Sequence, residues 1–390
     1  MTHSERLLST LNFERMTEGG AVLETFFPWD LTVNKWCGEG LPEKFHASYL
    51  YPPAKSREHV YLYDCMAEPV YEYEQYLGFN GVKRLAFRIP FQSFEEKVIE
   101  ETENDCLKQD TDGWIRRYYK NRSLVQEVQP VVRDMEDWEV LKKQAVSELK
   151  RYCTDDSIRL IYGQFQEGHR AGDYSIRFRI SGFFWTPRTM LGIEEHMMAF
   201  YDQPELLHEI NQFILDTYIH YLDKIFDIIQ PEVILLEEDL SGSNGPMLSP
   251  DAFETFVSAY YKQLFPFLKS KGVKNIFVDT DGDFNLLIPK FMEAGVDGFL
   301  PMDVNGGMDI VEVRKKYPQL KFIGGFNKLK IAEGKEAIDK EFNRILPVIR
   351  QGGYVPGCDH QVAPSASLED YRYYIMKLKE VMMQAGADRP

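Results

Sequence analysis

Three ionisable side chains stand next to one another near the carboxyl end of the chain. Cys358, Asp359 and His360 directly follow the glycine-led apolar segment GGYVPG at 352–357. Ionisable groups at a buried strand end need to pair with one another or with a ligand. His360 could act as an acid or base, or bind a carboxylate or phosphate. Strand alternation would put Cys358 on the same face as His360, where Cys358 could ligate a metal or fill a small space in the core.

Two aspartates stand two residues apart in the segment VDTDGD at 278–283. In a strand, Asp279 and Asp281 point to one face. Two carboxylates on one face repel each other, so one pKa should rise unless a cation lies between them. The pair could therefore supply a proton donor at neutral pH or a metal site. The alternative is a solvated turn formed by Asp281 and Gly282.

Acidic residues also end the apolar run at 232–240. By alternation, Glu237 and Asp239 share one face and Glu238 lies on the other. Only one of these faces can point into a barrel. Asp239 could instead cap the following helix, and the sequence leaves this alternative open.

Arginines alternate with aromatic residues in the segment at 174–190. Arg177 and Arg179 could share a strand face, and Arg188 and Trp185 follow within a few residues. Guanidinium groups beside aromatic walls suit the binding of an organic carboxylate. The alternative is that these arginines lie on the surface and that Trp185 belongs to the core.

These residues occur at the ends of short apolar runs that alternate with segments of helical periodicity from about residue 160. Strands that alternate with helices indicate an α/β fold with a parallel sheet. A GxGxxG motif does not follow the first run, which disfavours a dinucleotide-binding fold. The number of units and the chain length favour a (β/α)8 TIM barrel. The strand candidates are 159–165, 232–240, 274–282, 296–304, 321–328 and 354–360.

Five successive strand candidates carry polar residues at their carboxyl ends. In a barrel these ends converge on one mouth, so we predict that the residues share a binding site. Asp and Asn also favour helix caps and turns, which is the alternative for each of them. The residues are Glu238 and Asp239, Asp279 and Asp281, Asp303, Asn327, and Asp359 with His360.

The first 150 residues follow a less regular pattern. The segment at 110–132 resembles a β-hairpin or meander, with Asp112 and Gly113 as a tight turn. We predict an N-terminal elaboration over 1–150, in which the first barrel units could begin, packed on the main part of the barrel at 151–390. Together they would form a single domain.

Composition limits the partners and the cellular compartment. The net charge of −16, from 45 basic and 61 acidic residues, argues against nucleic acid and anionic lipid as partners. The first residues contain no apolar core of a secretion signal, and we find no apolar window of about 18 residues for a membrane span. Without a CxxC pair, free thiols in the reducing cytoplasm are expected for the five cysteines, Cys37, Cys65, Cys106, Cys153 and Cys358.

Several segments together resemble the uroporphyrinogen decarboxylase superfamily. This resemblance covers most of the chain, and it implies a (β/α)8 barrel and, often, a homodimer. The segments are SERLLSTLNFER at 4–15, GFFWTPRTMLGIEEHMMAFYDQPELLHEI at 182–210, LSPDAFETFVSAYYKQL at 248–264, FVDTDGDFNLLIPKFMEAGVDGFLPMDV at 277–304 and GGYVPGCDHQVAPSASLEDYRYYI at 352–375.

The sequence departs from both chemistries of that superfamily. The decarboxylases carry an N-terminal Met-Arg-Gln-Ala-Gly-Arg motif whose arginines hold the carboxylates of a tetrapyrrole. Here the region reads LETFFPWDLTVNKW, without arginine, although His360 matches the C-terminal histidine of the family. Thiol-specific methyltransferases bind zinc through His-x-Cys-Gly and a distant cysteine. Here 279–282 reads Asp-Thr-Asp-Gly, and Cys358 matches the distant cysteine.

The resemblance therefore implies a methyltransferase that moves a methyl group between a small methylated substrate and a corrinoid or folate carrier. A corrinoid protein would be its partner. One alternative is a decarboxylase of uroporphyrinogen or another small carboxylic acid, which needs no cofactor. A second alternative is a non-catalytic barrel that binds a ligand.

Each candidate residue receives a role under this hypothesis. Asp279, Asp281 and His360 would be catalytic. Zinc or another divalent metal is left open, with Asp279, Asp281 and Cys358 as its ligands. The residues expected to bind the substrate are Arg177, Arg188, Trp185, Glu238, Asp239, Asp303, Asn327 and Asp359.

Overall fold

The computed structural model describes residues 1–14, 18–53, 56–62, 67–92, 94–122 and 124–387. Cys65 lies outside the described residues. The strands, in chain order, are β1 (Val82–Ala86), β2 (Lys97–Glu101), β3 (Asp105–Gln109), β4 (Ile115–Tyr119), β5 (Val125–Gln129), β6 (Ser175–Ser181), β7 (Val233–Glu237), β8 (Ser241–Gly242), β9 (Gly245–Pro246), β10 (Asn275–Asp279), β11 (Gly298–Leu300), β12 (Lys321–Phe326) and β13 (Tyr354–Cys358).

The α-helices alternate with these strands through the second half of the chain. In the described residues they are α1 (His3–Leu11), α2 (Asp30–Gly38), α3 (Ala47–Leu50), α4 (Arg57–Leu62), α5 (Ala67–Leu77), α6 (Met135–Tyr152), α7 (Asp155–Gly163), α8 (Gln166–Ala171), α9 (Trp185–Leu191), α10 (Ile193–Asp202), α11 (Pro204–Phe226), α12 (Pro250–Phe253), α13 (Ala259–Ser270), α14 (Ile288–Ala294), α15 (Ile310–Lys316), α16 (Leu329–Ala332), α17 (Lys335–Gln351) and α18 (Leu368–Ala387). None of these helices is long and apolar enough to cross a membrane.

Seven of the strands form one parallel sheet in the order β1-β6-β7-β10-β11-β12-β13. The predicted α/β fold with parallel strands is therefore confirmed. The sheet includes β1, so it begins within the first 150 residues. Two layers of apolar side chains cover its faces: a large outer layer against the helices and a smaller inner layer closed by Leu7 and Leu11 of α1.

The segment at 20–27 contacts both edge strands of this sheet. On the β13 side, the Cys358 amide donates to the Glu24 carboxylate at 2.8 Å. On the β1 side, Arg84 donates to the Glu24 carbonyl at 3.1 Å. Its side chains alternate as in a strand, since Leu23 joins the inner apolar layer and Val22 the outer one. Hydrogen bonds thus connect this segment to both edge strands of the curved sheet, which itself has seven strands.

A second sheet is antiparallel, in the order β2-β3-β4-β5. It confirms the predicted meander, and Gly113 takes a φ of 87° in the turn between β3 and β4. Trp114 anchors that turn, because its indole N–H donates to the Thr189 carbonyl at 2.8 Å.

One strand candidate was wrong. Residues 159–165 fall largely in α7, where Ile158, Ile161 and Tyr162 form a buried stripe at helical spacing. Thr154 caps this helix by accepting from the Ser157 amide at 3.2 Å. A short apolar run does not distinguish a helix from a strand by itself.

The two glycines at 324–325 belong to β12 rather than to a loop after it. Gly324 has a φ of +106°, and a Cβ there would lie 2.1 Å from the Pro301 carbonyl oxygen. The Gly325 amide donates to that same oxygen at 2.8 Å. Glycine therefore allows β12 to approach the end of β11 closely.

We predict that Gly324→Ala lowers the free energy of unfolding by about 3 kcal/mol, because it adds both left-handed strain and a backbone clash. Chemical denaturation measures the change. Gly163→Ala is the matched control, since a Cβ at Gly163 meets nothing within 4 Å. An equal effect of both substitutions would contradict the close approach.

Candidate active site

The carboxyl ends of the parallel strands form one edge of the sheet, which we call the mouth. Pairing places Ser181, Glu237 and Asp279 side by side at the ends of β6, β7 and β10. Asp279 has the same strand parity as Phe277, which belongs to the inner apolar layer. Its carboxyl group therefore faces the inside of the curved sheet.

Asp279 is half-buried among charged neighbours. Burial raises the pKa of Asp279 well above its ordinary value, and the carboxylates of Glu237 and Asp281 raise it further. Arg179 and Arg177 oppose this shift without reversing it. A carboxyl group with a pKa raised in this way keeps its proton to higher pH and can donate it to a substrate.

Asp281 and His360 meet at the mouth. His360 Nε2 lies 3.6 Å from Asp281 Oδ2, and each side chain is about one third exposed. Burial, and then the carboxylates of Asp239 and Asp303, raise the pKa of Asp281 to about 7. Burial, and then the Lys328 ammonium, lower the pKa of His360. Asp281 and His360, which are far apart in the sequence, therefore lie close enough for a proton to pass between them.

Asp359 fixes the loops after β11 and β12. Its carboxylate accepts from the amides of Val304 at 3.2 Å and Lys328 at 2.9 Å, and from the Asn305 side chain at 3.1 Å. It has no exposed surface. Burial, as the largest cause, raises the pKa of Asp359 to about 6. These contacts describe a residue that positions the mouth rather than one that reaches a substrate.

Asp303 and Asn327 make local turn contacts at the rim of the mouth. Asp303 accepts from the Asn305 amide at 3.1 Å, and Asn327 accepts from the Leu329 amide at 3.0 Å. The side chains of Asn305 and Asn327 also pair, at 3.3 Å. The turn-forming alternative left open by the sequence accounts for these contacts.

Arg188 is engaged with the protein. Its guanidinium donates to the Asp239 carbonyl at 2.5 Å, and its other nitrogen lies 3.5 Å from the Asp239 carboxylate. It also lies 4.8 Å from the centre of the Trp185 ring. Arg188 therefore positions Trp185 and the turn at Asp239, where φ is 43°.

Arg177 lies too deep to be the expected anion ligand. It is only 8% exposed and donates to the Thr25 carbonyl at 2.9 Å. Burial lowers the pKa of Arg177 to about 9. Arg179 lies two residues closer to the mouth along β6. Its side chain is 39% exposed and lies 3.7 Å from Glu237. Arg179 is therefore the arginine of β6 that a ligand can reach.

Glu238 does not face the mouth, contrary to the expectation that it binds substrate. It has no exposed surface, and its carboxylate accepts from the amides of Phe183, Phe184 and Trp185 at 2.7–3.1 Å. The Tyr261 hydroxyl also donates to it, at 2.5 Å. Strand parity explains the error, since Glu237 faces inwards and Glu238 faces the start of α9. Burial, the largest cause, raises the pKa of Glu238 to about 6.

Cys358 lies on the opposite face of the sheet from Asp279. It is wholly buried in the outer apolar layer, whereas Val355 of the same strand belongs to the inner one. Burial, and then Glu24, raise the pKa of the Cys358 thiol well above its ordinary value. Within the part of the chain that the structure describes, no three His, Cys, Asp or Glu side chains are grouped as metal ligands. The combination of Asp279, Asp281 and Cys358 therefore does not fit zinc, and Cys358 does not share a face with His360.

A cleft of about 230 Å³ lies at the side of the mouth next to Glu237, the neighbour of Asp279 in the sheet. Glu237 and Arg179 line it from the sheet, and Trp185 lines it from α9, as the sequence suggested. Arg88, in the loop after β1, and Asp112, in the turn of the meander, complete the charged part of its wall.

Sequence reasoning missed three residues of this region. Glu24 is 2% exposed, and burial raises its pKa to about 7. Only the alternation of apolar residues around it could have indicated a strand-like segment. Glu237 was placed correctly by alternation but was not chosen. Arg88 follows β1 without any periodic pattern that would mark it.

Comparisons with known proteins agree with this architecture. A model of the uroporphyrinogen decarboxylase (URO-D) family matches residues 126–381. A methyltransferase from Methanosarcina mazei has a TM-score of 0.60 at 15% identity, over 97% of this chain and 98% of that one. This likeness concerns the fold.

Other comparisons add little. A B12-independent methionine synthase from Shewanella sp. W3-18-1, solved in complex with selenomethionine, has a TM-score of 0.41 at 11% identity, over 96% of this chain and 97% of that one. That score is too low to support an inference. No curated protein matches the chain.

We predict that Glu238→Ala lowers the free energy of unfolding by about 3–5 kcal/mol, because three buried amides and a hydroxyl lose their acceptor. Chemical denaturation measures the loss. Glu312→Ala, at an exposed glutamate that pairs only with Lys315, is the control and should change little. A loss below 1 kcal/mol would mean that Glu238 does not hold the turn before α9.

A pH dependence follows from Asp281. Its folded-state pKa of about 7 exceeds the ordinary value of 3.8, so its contribution to stability is present below pH 4 and is lost as the pH rises through 7. Asp281→Asn stays neutral and avoids this loss. We predict that its melting temperature, relative to the unmodified protein, is higher at pH 8 than at pH 5. Asp216→Asn, at an exposed position of α11, should show no such trend. A pH-independent difference for Asp281→Asn would contradict the raised pKa.

Proposed function

This chain belongs to the uroporphyrinogen decarboxylase family, and from that membership and the geometry of the mouth we propose that it is a methyltransferase. It would move a methyl group between a small methylated substrate and a corrinoid or folate carrier. A corrinoid protein would present the carrier at the mouth.

We also infer that the parallel sheet closes as the (β/α)8 barrel of that family. The segment at 20–27 would take the place of the eighth strand of the barrel. Its contacts with Cys358 on one side and Arg84 on the other support this inference, as does the alternation of Leu23 and Val22 between the two apolar layers.

The observation that carries the proposed activity is the register pairing of Asp279 with Glu237, which lines a small cleft. Ligand pockets for drug-sized molecules measure about 300–1,000 Å³. A cleft of about 230 Å³ suits a smaller molecule and is far too small for a tetrapyrrole. The raised pKa of Asp279 supports its assignment as the proton donor, and Asp279 lies beside Glu237 of the cleft wall in the register of the sheet.

The residues of the mouth can then assist the breaking of a bond between a methyl group and oxygen or nitrogen. The carrier takes the methyl group, and the electron pair of the broken bond stays on the heteroatom of the substrate. Asp279 donates a proton to that heteroatom, which makes it a better leaving group. Asp281 and His360 provide a second proton site, through which Asp279 could be reprotonated from solvent.

Decarboxylation is the second candidate, because His360 matches the histidine of the family and lies 3.6 Å from Asp281. The N-terminal segment weakens this candidate. The region at 23–36, where the decarboxylases carry tetrapyrrole-binding arginines, contains no arginine, and its Glu24 and Thr25 are buried. A substrate with many carboxylates would meet Glu237, Asp279 and Asp281 without those arginines.

The test is incubation of the protein with a panel of methylated oxygen and nitrogen donors and cob(I)alamin. We expect the absorption change that accompanies methylation of the corrinoid. Asp279→Asn should slow it by about 10²–10⁴-fold, the usual contribution of a general acid. Asp216→Asn should leave the rate unchanged.

Two results would contradict the proposal. One is the absence of corrinoid methylation across the panel together with formation of coproporphyrinogen from uroporphyrinogen, which would establish the decarboxylase. The other is an unchanged methylation rate for Asp279→Asn, which would remove the assigned acid.

A further inference from the structure

We propose that the cleft beside Glu237 binds a small organic anion with a flat apolar body, such as a single-ring aromatic carboxylate, and that Arg88 and Arg179 hold its anionic group. This inference rests on the proposed function in taking the cleft as the substrate site. It names the chemical class of that substrate.

The walls of the cleft suit a flat ring. Phe91, Trp185 and Met190 line it, and Phe91 and Met190 are 7% and 3% exposed, so their positions are fixed by packing. Trp185 is held by the guanidinium of Arg188, 4.8 Å from the ring centre. Aromatic walls favour a planar ligand through offset or edge-to-face contacts.

Two guanidinium groups from different elements reach this one cleft. Arg179 projects from β6 at the level of the mouth. Arg88 is anchored at the other side, because its amide donates to the Tyr61 carbonyl at 2.8 Å and its guanidinium donates to the Val60 carbonyl at 3.3 Å. Guanidinium groups match the geometry of a carboxylate and bind it through two parallel hydrogen bonds.

The acids of the cleft already face arginines, which disfavours a cationic ligand. Both carboxylate oxygens of Asp112 accept from Arg116, at 2.9 and 3.0 Å. Glu237 lies 3.7 Å from Arg179. A ligand ammonium group would have to compete with these guanidinium groups, whereas a ligand carboxylate would bind to the guanidinium side of the cleft.

The volume limits the size of the ligand. At about 230 Å³, the cleft is below the usual range for drug-sized ligands and accommodates about one ring with one or two substituents.

Calorimetric titration of the whole protein with benzoate and 4-methoxybenzoate tests the proposal without a carrier or turnover. We expect both anions to bind, and benzylamine and anisole to bind at least tenfold more weakly. Arg88→Gln and Arg179→Gln should each weaken 4-methoxybenzoate binding tenfold or more, because each removes charged hydrogen bonds. Arg151→Gln, at an exposed arginine that stacks on Tyr152 of α6, is the control and should leave binding unchanged.

Thermal melting establishes that the variants are folded, and Arg179→Gln is expected to be, because Arg179 is 39% exposed. If Arg88→Gln does not fold, Arg88→Lys replaces it and should still weaken binding. The proposal is overturned if neither anion binds at 10 mM, if benzylamine binds as tightly as benzoate, or if the folded variants bind as well as the control. Anion binding without methyl transfer from any donor would overturn only the proposed function.

Discussion

The register of the parallel strands is the constraint on which the site depends. It fixes Glu237 and Asp279 side by side at the ends of β7 and β10, with Asp281 two residues further on. Carboxylates held this close in a partly buried place cannot all be ionised at little cost. Protonation reduces this repulsion, and it appears as raised pKa values at Asp279 and Asp281. The nearby guanidinium of Arg179 also reduces it. The raised pKa values of these carboxyl groups are thus a consequence of the sheet.

The other buried carboxylates have a structural role, because they accept hydrogen bonds from backbone amides. Glu238 holds the turn before α9, Asp359 holds two loops, and Glu24 joins the segment at 20–27 to β13. Each of these three carboxylates accepts hydrogen bonds from at least two backbone amides, and all three lie away from the cleft. The number of backbone donors therefore separates the acids that shape the mouth from those that can act in it, such as Asp279.

The sequence predicts the class of fold and the location of the site better than the role of each residue. Alternating periodicity indicates the parallel sheet, and polar residues after successive strands indicate the mouth, where Asp281 and His360 do meet. Alternation cannot tell which face is inside, so Glu238 was chosen although Glu237 lines the cleft. Alternation also does not show how deeply a side chain is buried, so Arg177 was chosen although Arg179 is the one that a ligand can reach. Arg88 stands in a loop, where no periodic pattern marks it.

The N-terminal segment links the fold to the choice of substrate. Family members that bind a tetrapyrrole place arginines there, whereas this chain buries Glu24 and Thr25 and directs arginines of the sheet at their carbonyl groups. Arg84 is also paired with Glu74 at 2.6 Å, and Arg177 is buried, so the positive charge on this side of the sheet is used within the protein. The guanidinium groups that line the cleft come from Arg88 and Arg179 instead. Under the proposed function, an anionic substrate would therefore bind in the cleft of about 230 Å³ at the side of the mouth rather than in the open mouth.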